Sequence, residues 1–266
     1  MTKIVAEIGW NHMGDMDLAK RMISAAAENG ADFAKFQTWS VIRLKPGDWD
    51  NDGRREIYEK AELSFEQHLI LKKYCESENI EFLSSVFSVK DAELLKGITS
   101  SFVKIPSFES CNAPLLQYVN KEFDHIYLST GTSTYKEINE SVKLLDKTKT
   151  TLLHCVSSYP CDPSTANLPR IIQLRKLCPR VGYSDHIEGV ESSKVALEYN
   201  INVIEKHFTV DHNLPGRDNK FAILPHELKD LSDYIKLRET MNKPLGEDFQ
   251  EAELDSRNNY RGRFNG

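Results

Sequence analysis

The feature that most constrains the fold is an alternation, repeated eight times, between short apolar runs and longer amphipathic ones. The short runs are rich in β-branched and aromatic residues, as strands are, whereas the longer ones space their apolar residues as helices do. The predicted strands are residues 4–9, 33–38, 81–87, 102–107, 125–130, 151–157, 180–185 and 203–209. The predicted helices are residues 15–29, 64–79, 89–96, 113–121, 134–147, 164–177, 189–199 and 225–241.

Strands that alternate with helices are joined by crossovers and lie parallel, and eight such units close a TIM barrel. The alternative is an open doubly wound sheet, but no glycine-rich phosphate loop follows the first strand, which argues against its dinucleotide-binding version. We therefore predict a single-domain (β/α)8 barrel over residues 1–254 and a polar C-terminal tail over 255–266. The segment 40–63 is long for such a connection and predicts an extended loop after strand 2, at the catalytic face.

Composition excludes several classes of function. The chain has 266 residues, 40% of them hydrophobic and 28% charged, which is typical of a globular protein with a large core. A net charge of −6 argues against general binding to nucleic acid or to an anionic membrane. The chain starts as a strand without a signal-peptide pattern, and its five cysteines form no CxxC pair. A cytoplasmic protein with reduced thiols is the prediction.

Two histidines, His186 and His207, each follow a short β-type run at the point where the chain turns polar. Neutral imidazole is the commonest side-chain ligand of divalent transition metals. Imidazoles at the ends of two successive strands could hold one ion and leave its other positions open, as a catalytic metal requires. The alternative is that each is an ordinary strand-end histidine with a hydrogen-bonded ring.

Polar side chains that are unusual in buried strands occur where the other predicted strands end, and in a parallel barrel these ends form the catalytic face. A lysine within an apolar strand is costly to bury without a partner. Lys35 and Lys104, with serines at neighbouring strand ends, therefore predict a pocket for a phosphate or carboxylate. The alternative is a structural network in which the lysines pair with Glu7, Glu109 or Glu205, and both interpretations can hold together.

The sixth predicted strand contains His154 and Cys155. A nucleophilic pair is disfavoured because adjacent strand residues face opposite ways. His154 is expected either to line the barrel interior or, as the favoured interpretation, to be a core histidine with a satisfied ring.

Motifs in order along nearly the whole chain resemble those of the N-acetylneuraminate (sialic acid) synthase family, including its legionaminate and pseudaminate relatives. The matching stretches are AEIGWNHMG at 6–14, KFQT at 35–38, KIPSFE at 104–109, LSTG at 128–131, LLHC at 152–155, YP at 159–160, GYSDH at 182–186, EKHFT at 205–209 and PGRD at 215–218.

The resemblance implies condensation of phosphoenolpyruvate with an open-chain N-acylated amino sugar, which forms a nonulosonic acid and releases phosphate. It implies that His186 and His207 hold a divalent ion, Mn²⁺ or Mg²⁺, and that Glu7 is an acid or base near the reacting carbons. The implied phosphoenolpyruvate site is Lys35, Ser85, Lys104, Ser107, Ser129 and Ser184. The implied sugar-binding residues are Gln37, Glu109, Tyr159 and Asp218.

The sequence also departs from the family pattern. Family members usually continue into a C-terminal antifreeze-like domain that reaches across a dimer and places an arginine on the sugar, whereas this sequence ends at Gly266. Three alternatives stay open: Arg261 or Arg263 in the tail substitutes for that arginine, the missing module is a separate antifreeze-like partner chain, or the acceptor sugar is a different one. The expected protein partner is a second copy in a homodimer or that separate chain. Pro106 and Phe108 stand where smaller residues are common.

Two other functions remain open on the sequence. Another metal-dependent barrel, a lyase or hydrolase acting on a phosphosugar, would keep the histidine pair but would not need both lysines at one anion beside it. A non-catalytic sugar-binding homologue would need neither the lysines nor Glu7.

Overall fold

Eight short runs of buried residues form a closed parallel barrel in this computed structural model, which describes residues 2–264. The strands are β1 (Lys3–Glu7), β2 (Phe33–Thr38), β3 (Glu81–Val86), β4 (Phe102–Ile105), β5 (His125–Ser129), β6 (Thr150–Cys155), β7 (Val181–Asp185) and β8 (Val203–His207). Each strand pairs with the next along the chain, and β8 pairs with β1. The predicted (β/α)8 barrel is confirmed.

Helices connect the strands around the outside of the barrel. They are α1 (Met16–Glu28), α2 (Arg54–Ala61), α3 (Phe65–Ser77), α4 (Val89–Lys96), α5 (Ala113–Glu122), α6 (Tyr135–Val142), α7 (Arg170–Arg175), α8 (Glu191–Ala196), α9 (Pro225–Met241) and α10 (Leu254–Asn259). Three, α6, α7 and α8, are clearly shorter than predicted, and residues 197–199 after α8 form a 3-10 helix. Helix α6 stops before a turn closed by Asp146, and α7 begins only after Pro169, since a proline disfavours helical backbone in the residue before it.

An apolar plug fills the amino-terminal half of the barrel interior. It consists of Val5, Phe33, Leu83, Tyr127, Leu153 and Val203. Side chains two positions apart in a strand point to the same face, so the residues that follow the plug by two positions also point inward, one layer nearer the carboxyl ends. Those residues are Glu7, Lys35, Ser85, Ser129, Cys155 and Glu205. The plug therefore forms the floor of a polar layer.

The segment between β2 and α3 lies over the carboxyl end of the barrel, where the sequence predicted an extended loop. It contains α2, which was not predicted because its sequence is dominated by charged residues. An ion pair between Arg43 and the buried Asp91 fastens the segment to α4. Its side chains Leu44 and Tyr58 reach the cavity described below.

The polar tail contains one short helix, α10, which the sequence did not predict. Its side chains and those around it are exposed, and Arg263 lies over the ring of its neighbour Tyr260. Neither Arg261 nor Arg263 lines the cavity, so within one chain neither tail arginine reaches the site. Residues 1, 265 and 266 lie outside the described part. Across residues 2–264, no helix combines the length and apolar character required to cross a membrane.

Candidate active site

A cavity of about 600 Å³ opens at the carboxyl ends of the strands, and all eight strands or the loops that follow them contribute to its lining. It brings together every predicted site residue except Glu109: Glu7, Lys35, Gln37, Ser85, Lys104, Ser107, Ser129, Tyr159, Ser184, His186, His207 and Asp218. The Glu109 carboxylate instead accepts a hydrogen bond of 2.7 Å from Asn112, in the turn after β4. Glu109, predicted to contact the sugar, therefore does not line this cavity.

Lys35 is buried between acidic and hydroxyl groups. Its Nζ lies 2.5 Å from Glu7 Oε2 and donates to Ser85 Oγ at 2.8 Å, while Gln37 donates to the other Glu7 oxygen, also at 2.8 Å. Burial raises the pKa of Glu7, and Lys35 offsets only part of that effect. A buried carboxyl group with a raised pKa is a candidate for proton transfer.

Lys104 reaches the same layer from β4, two strands along the barrel from Lys35. Its Nζ contacts both carboxylate oxygens of Glu205, at 2.6 and 2.8 Å, and Ser184 donates to Glu205 at 2.8 Å. Burial alone would raise the pKa of Glu205, but Lys104 and then Lys35 more than offset it and hold the pKa below its usual range. Both sequence interpretations of the lysines are therefore compatible: they pair with Glu7 and Glu205, and they face one cavity.

The two imidazoles lie side by side at the ends of β7 and β8, with ring centroids 5.4 Å apart. His186 Nδ1 lies 2.9 Å from the Val156 carbonyl oxygen, a bond that uses the Nδ1 proton and leaves the Nε2 lone pair free. His207 Nδ1 is buried without a hydrogen-bond partner among the described residues, 3.5 Å from Asp218 Oδ2. Burial lowers the pKa of His207 well below its usual value, so the ring is neutral.

This donor set fits a divalent transition metal. Neutral imidazoles are suitable ligands, and the unpartnered His207 nitrogen is the kind of buried atom that a ligand would satisfy. Across residues 2–264, no group of three or more His, Cys, Asp or Glu side chains is arranged to hold an ion. Any ion here would have two protein ligands and would fill its other positions with water or substrate.

Tyr159 and Asp218 stand above the imidazoles. The Tyr159 ring lies 4.2 Å from that of His186 and 6.0 Å from that of His207, measured between centroids. Trp10 donates its indole proton to Asp218 at 2.7 Å, yet burial raises the pKa of Asp218 to about 6. These groups surround the position where a second substrate would meet the imidazoles.

Sequence reasoning missed Cys155 as a cavity residue. Its Sγ lies 3.8 Å from His186 Nδ1; burial alone would raise the pKa of the thiol, but His186 lowers it to about 7. His154 faces the other way, stacks on Tyr183 at 5.6 Å and contacts the Ala166 carbonyl oxygen at 2.7 Å through Nε2. His154 is therefore a core histidine outside the barrel interior, as favoured, and the suggestion that it lines the interior is wrong. The sequence signal for Cys155 was its position two residues after Leu153, because side chains two apart in a strand point to the same face and Leu153 points inward.

A second missed feature lies just outside the barrel wall. Asp185 and Lys206 face each other in the β7–β8 register and form an ion pair of 3.0 Å, with side chains that are 0% and 2% exposed. Ser193 donates to the same Asp185 oxygen at 2.6 Å. Each member of the pair precedes one imidazole, His186 or His207, in the chain. The pair therefore ties together the two strand ends that carry the imidazoles.

Comparison with known proteins identifies this arrangement. Residues 22–246 match the NeuB family. The chain belongs to the NeuB family. The N,N'-diacetyllegionaminic acid synthase of Campylobacter jejuni is 35% identical, over 97% of this chain and 81% of that protein. The spore coat polysaccharide biosynthesis protein SpsE of Bacillus subtilis is also 35% identical, over 92% of this chain and 70% of that one.

A solved structure shows the same fold along nearly the whole chain. The N-acetylneuraminic acid (sialic acid) synthetase of Leptospira borgpetersenii, in complex with citrate, superposes with a TM-score of 0.85. It is 33% identical, and the match covers 98% of this chain and 93% of that one. NeuB-family nonulosonic acid synthases condense phosphoenolpyruvate with a sugar, and this chain is an enzyme of the acid synthase type.

Proposed function

We propose that this enzyme condenses phosphoenolpyruvate with the open-chain form of an N-acylated amino sugar, in a reaction that depends on a divalent metal. One observation carries the proposal: two buried lysines and two imidazoles with ring centroids 5.4 Å apart line a single cavity. The lysine cations suit the phosphate and carboxylate of an enolpyruvyl phosphate. A metal held by the imidazoles would polarise the aldehyde oxygen of the second substrate beside them. A lyase or hydrolase acting on one phosphosugar would not need both.

The lysines and hydroxyls bind and orient the first substrate. Lys35 and Lys104 are buried, with 2% and 3% of their surface exposed, so water weakens their attraction to an anion only slightly. Ser129 Oγ has no partner among the described residues and is free to donate to a phosphate or carboxylate oxygen. Fixing both ends of phosphoenolpyruvate holds its enol carbon toward the imidazoles, which supplies the proximity that a two-substrate reaction requires.

The second substrate meets the imidazoles. A divalent ion, Mn²⁺ or Mg²⁺, bound by His186 and His207 would polarise the aldehyde oxygen and stabilise the negative charge that develops there. Tyr159, Asp218 and Gln37 line the surrounding cavity and are proposed to position the sugar hydroxyls.

Glu7 is proposed to transfer the proton of the water that adds to C2 of phosphoenolpyruvate. Carbon–carbon bond formation leaves positive character at C2, water supplies the oxygen that bonds there, and phosphate then leaves. Glu7 touches Lys35, so it lies at the anion site, and burial raises its pKa above the usual carboxyl value, which favours a role in proton transfer.

The test measures phosphate release from phosphoenolpyruvate with N-acetylmannosamine, its diacetamido relatives and simple aldoses, with Mn²⁺ and with a chelator. We expect release only with an acceptor and the metal, and mass spectrometry of the product names the acceptor. Electron paramagnetic resonance of Mn²⁺ measures metal binding separately from activity. The variant His207→Ala should bind Mn²⁺ more weakly. Release without any acceptor would indicate a phosphatase or lyase instead.

Two further expectations stay predictions. A homodimer, or a complex with an antifreeze-like partner chain, is tested by sedimentation and by co-purification. A cytoplasmic location is tested by fractionation.

A further inference from the structure

Trp10 joins two distant parts of the cavity wall. It lies three residues after the end of β1, beyond a turn in which Gly9 has a positive φ of 54°, and it lines the cavity. Its indole nitrogen donates to Asp218 Oδ2 at 2.7 Å, although the two residues lie 208 positions apart. A hydrogen bond to a carboxylate is stronger than one between neutral groups, so it can hold a side chain in one orientation.

The carboxylate of Asp218 depends on this bond. The residue is buried in a short 3-10 turn after β8, and within residues 2–264 the Trp10 indole is the only group that donates a hydrogen bond to its side chain. His207 Nδ1 lies 3.5 Å from the same oxygen and makes no hydrogen bond among the described residues. The other oxygen, Oδ1, has no partner there either and is not fully buried, so it is open to a ligand in the cavity.

An aromatic cage, formed by Trp39 and Tyr58, holds Trp10 in turn. The Trp10 ring packs edge-on against Tyr58 of α2, with centroids 5.1 Å apart, and against Trp39, which follows β2, at 6.3 Å. Trp39 and Tyr58 also pack edge-on against each other at 5.8 Å. Because α2 belongs to the segment that lies over the carboxyl end of the barrel, the cage connects that segment to the indole and so to Asp218.

The simpler explanation is that the bond between Trp10 and Asp218 only satisfies the indole. Trp39 provides the comparison, because its indole nitrogen is buried without a hydrogen-bond partner among the described residues. The cluster therefore tolerates an unsatisfied indole N–H. The N–H of Trp10, in contrast, is directed at a carboxylate that lines the cavity.

We infer that Trp10 is a positioning residue for the second substrate. Its N–H holds Asp218 Oδ2 and thereby keeps Oδ1 in a fixed place for the ligand, and Tyr58 connects the covering segment to that carboxylate. The inference rests on the proposed function, because there Asp218 positions a sugar hydroxyl. Trp10 acts through Asp218 in this role. A carboxylate that is oriented in advance loses less conformational freedom when the sugar binds.

The variant Trp10→Phe tests the role of the N–H. It keeps an aromatic ring but loses the donor, so KM for the sugar should rise by about tenfold, the scale of a lost hydrogen bond to a charged group. The values of kcat and of KM for phosphoenolpyruvate should stay nearly unchanged. Trp39→Phe is the matched control and should raise KM for the sugar far less, since it removes an indole from the same cluster without removing a hydrogen bond. Equal increases in the two variants would overturn the inference.

A double variant separates positioning from packing. In Asp218→Ala the indole has no carboxylate to orient, so adding Trp10→Phe should lower kcat/KM for the sugar no further. Thermal unfolding of the single and double variants shows that each one is folded. If the two losses in kcat/KM multiply, the effect of Trp10 does not pass through Asp218 and the inference is wrong.

Nuclear magnetic resonance of labelled indole nitrogens gives a measurement that does not depend on turnover. The chain has three tryptophans, and the Trp10 signal is the one that Trp10→Phe removes. Its proton should exchange with solvent faster in Asp218→Ala, which removes the acceptor, and in Tyr58→Ala, which opens the cage. Unchanged exchange in either variant would contradict the inference. Absence of turnover with every acceptor would sink the proposed reaction and leave this measurement standing.

Discussion

The ammonium of Lys104 contacts both carboxylate oxygens of Glu205 across the barrel interior, although the two residues lie 101 positions apart in the chain. Glu205 also lies 3.8 Å from the ammonium of Lys35. Glu205 thus compensates Lys104 and lies near Lys35, which also pairs with Glu7 at 2.5 Å.

The first prediction concerns Glu205→Gln, which removes this shared carboxylate. We expect a loss of about 3–5 kcal/mol in the free energy of unfolding, because Lys104 becomes an uncompensated buried charge. Inorganic phosphate should restore part of the loss, since it binds the freed cations. Urea denaturation with and without phosphate measures both effects. Glu198→Gln, which breaks the exposed pair with Arg238, is the control and should change stability by ~1 kcal/mol or less. Equal losses would contradict the assignment.

The second prediction concerns Glu7→Gln. The amide keeps the size of the side chain but cannot exchange a proton, so kcat should fall by about 10²–10⁴-fold. Steady-state kinetics with phosphoenolpyruvate and the accepted sugar measure the change. A Glu7→Gln enzyme whose kcat stays within about tenfold of the wild-type value would contradict a proton-transfer role for Glu7.

The third prediction concerns the ion pair behind the imidazoles. Lys206→Met should lower the free energy of unfolding by about 3–5 kcal/mol, because Asp185 is left buried without its counter-charge. The double variant with Asp185→Asn should lose less than the sum of the two single variants, since neither charge then remains. Chemical denaturation of the three proteins gives the coupling energy. Lys194→Met, at the partly exposed pair with Asp230, serves as the control.

The fourth prediction is a pH dependence at His12. Burial, followed by the nearby His68, lowers the pKa of His12 from 6.5 to about 4. Between those two pH values the unfolded chain binds a proton there that the folded chain does not, so stability is complete above about pH 6.5 and falls as pH drops to about 4. The loss is on the order of 3 kcal/mol. His12→Asn should flatten this part of the stability curve, whereas the exposed His226→Asn should leave it unchanged.

The fifth prediction tests the contact between β7 and β8 at Gly182. A Cβ added there would lie 2.4 Å from Val203 Cγ1 and 2.5 Å from the Val203 carbonyl oxygen. Backbone cannot yield as a flexible side chain can, so Gly182→Ala should cost ~1–3 kcal/mol through overpacking. Thermal unfolding measures the shift. Gly47→Ala, which would meet only the Trp49 side chain, should have a much smaller effect.

Residues within strands were predictable because direction in a strand alternates with sequence position. Lys35 and Gln37 were expected on one side of β2 and both line the cavity. Glu109 does not line the cavity, and its direction was not predictable, because the chain leaves β4 at Ile105 and enters a short 3-10 turn where the alternation no longer applies. The sequence could indicate which strand ends carry polar groups, but not which way a turn directs them.

By itself, the sequence determined the eightfold strand–helix order, the parallel barrel and the strand ends that carry chemistry, because these follow from local patterns of apolar and polar residues. Only the tertiary structure decided which side chains meet. It shows that Lys104 pairs with Glu205, that Cys155 contacts His186, and that Phe108 stacks on Phe87. Such contacts join residues from separate strands and loops. Their distances depend on barrel closure and on the loops above it, and no local pattern encodes those.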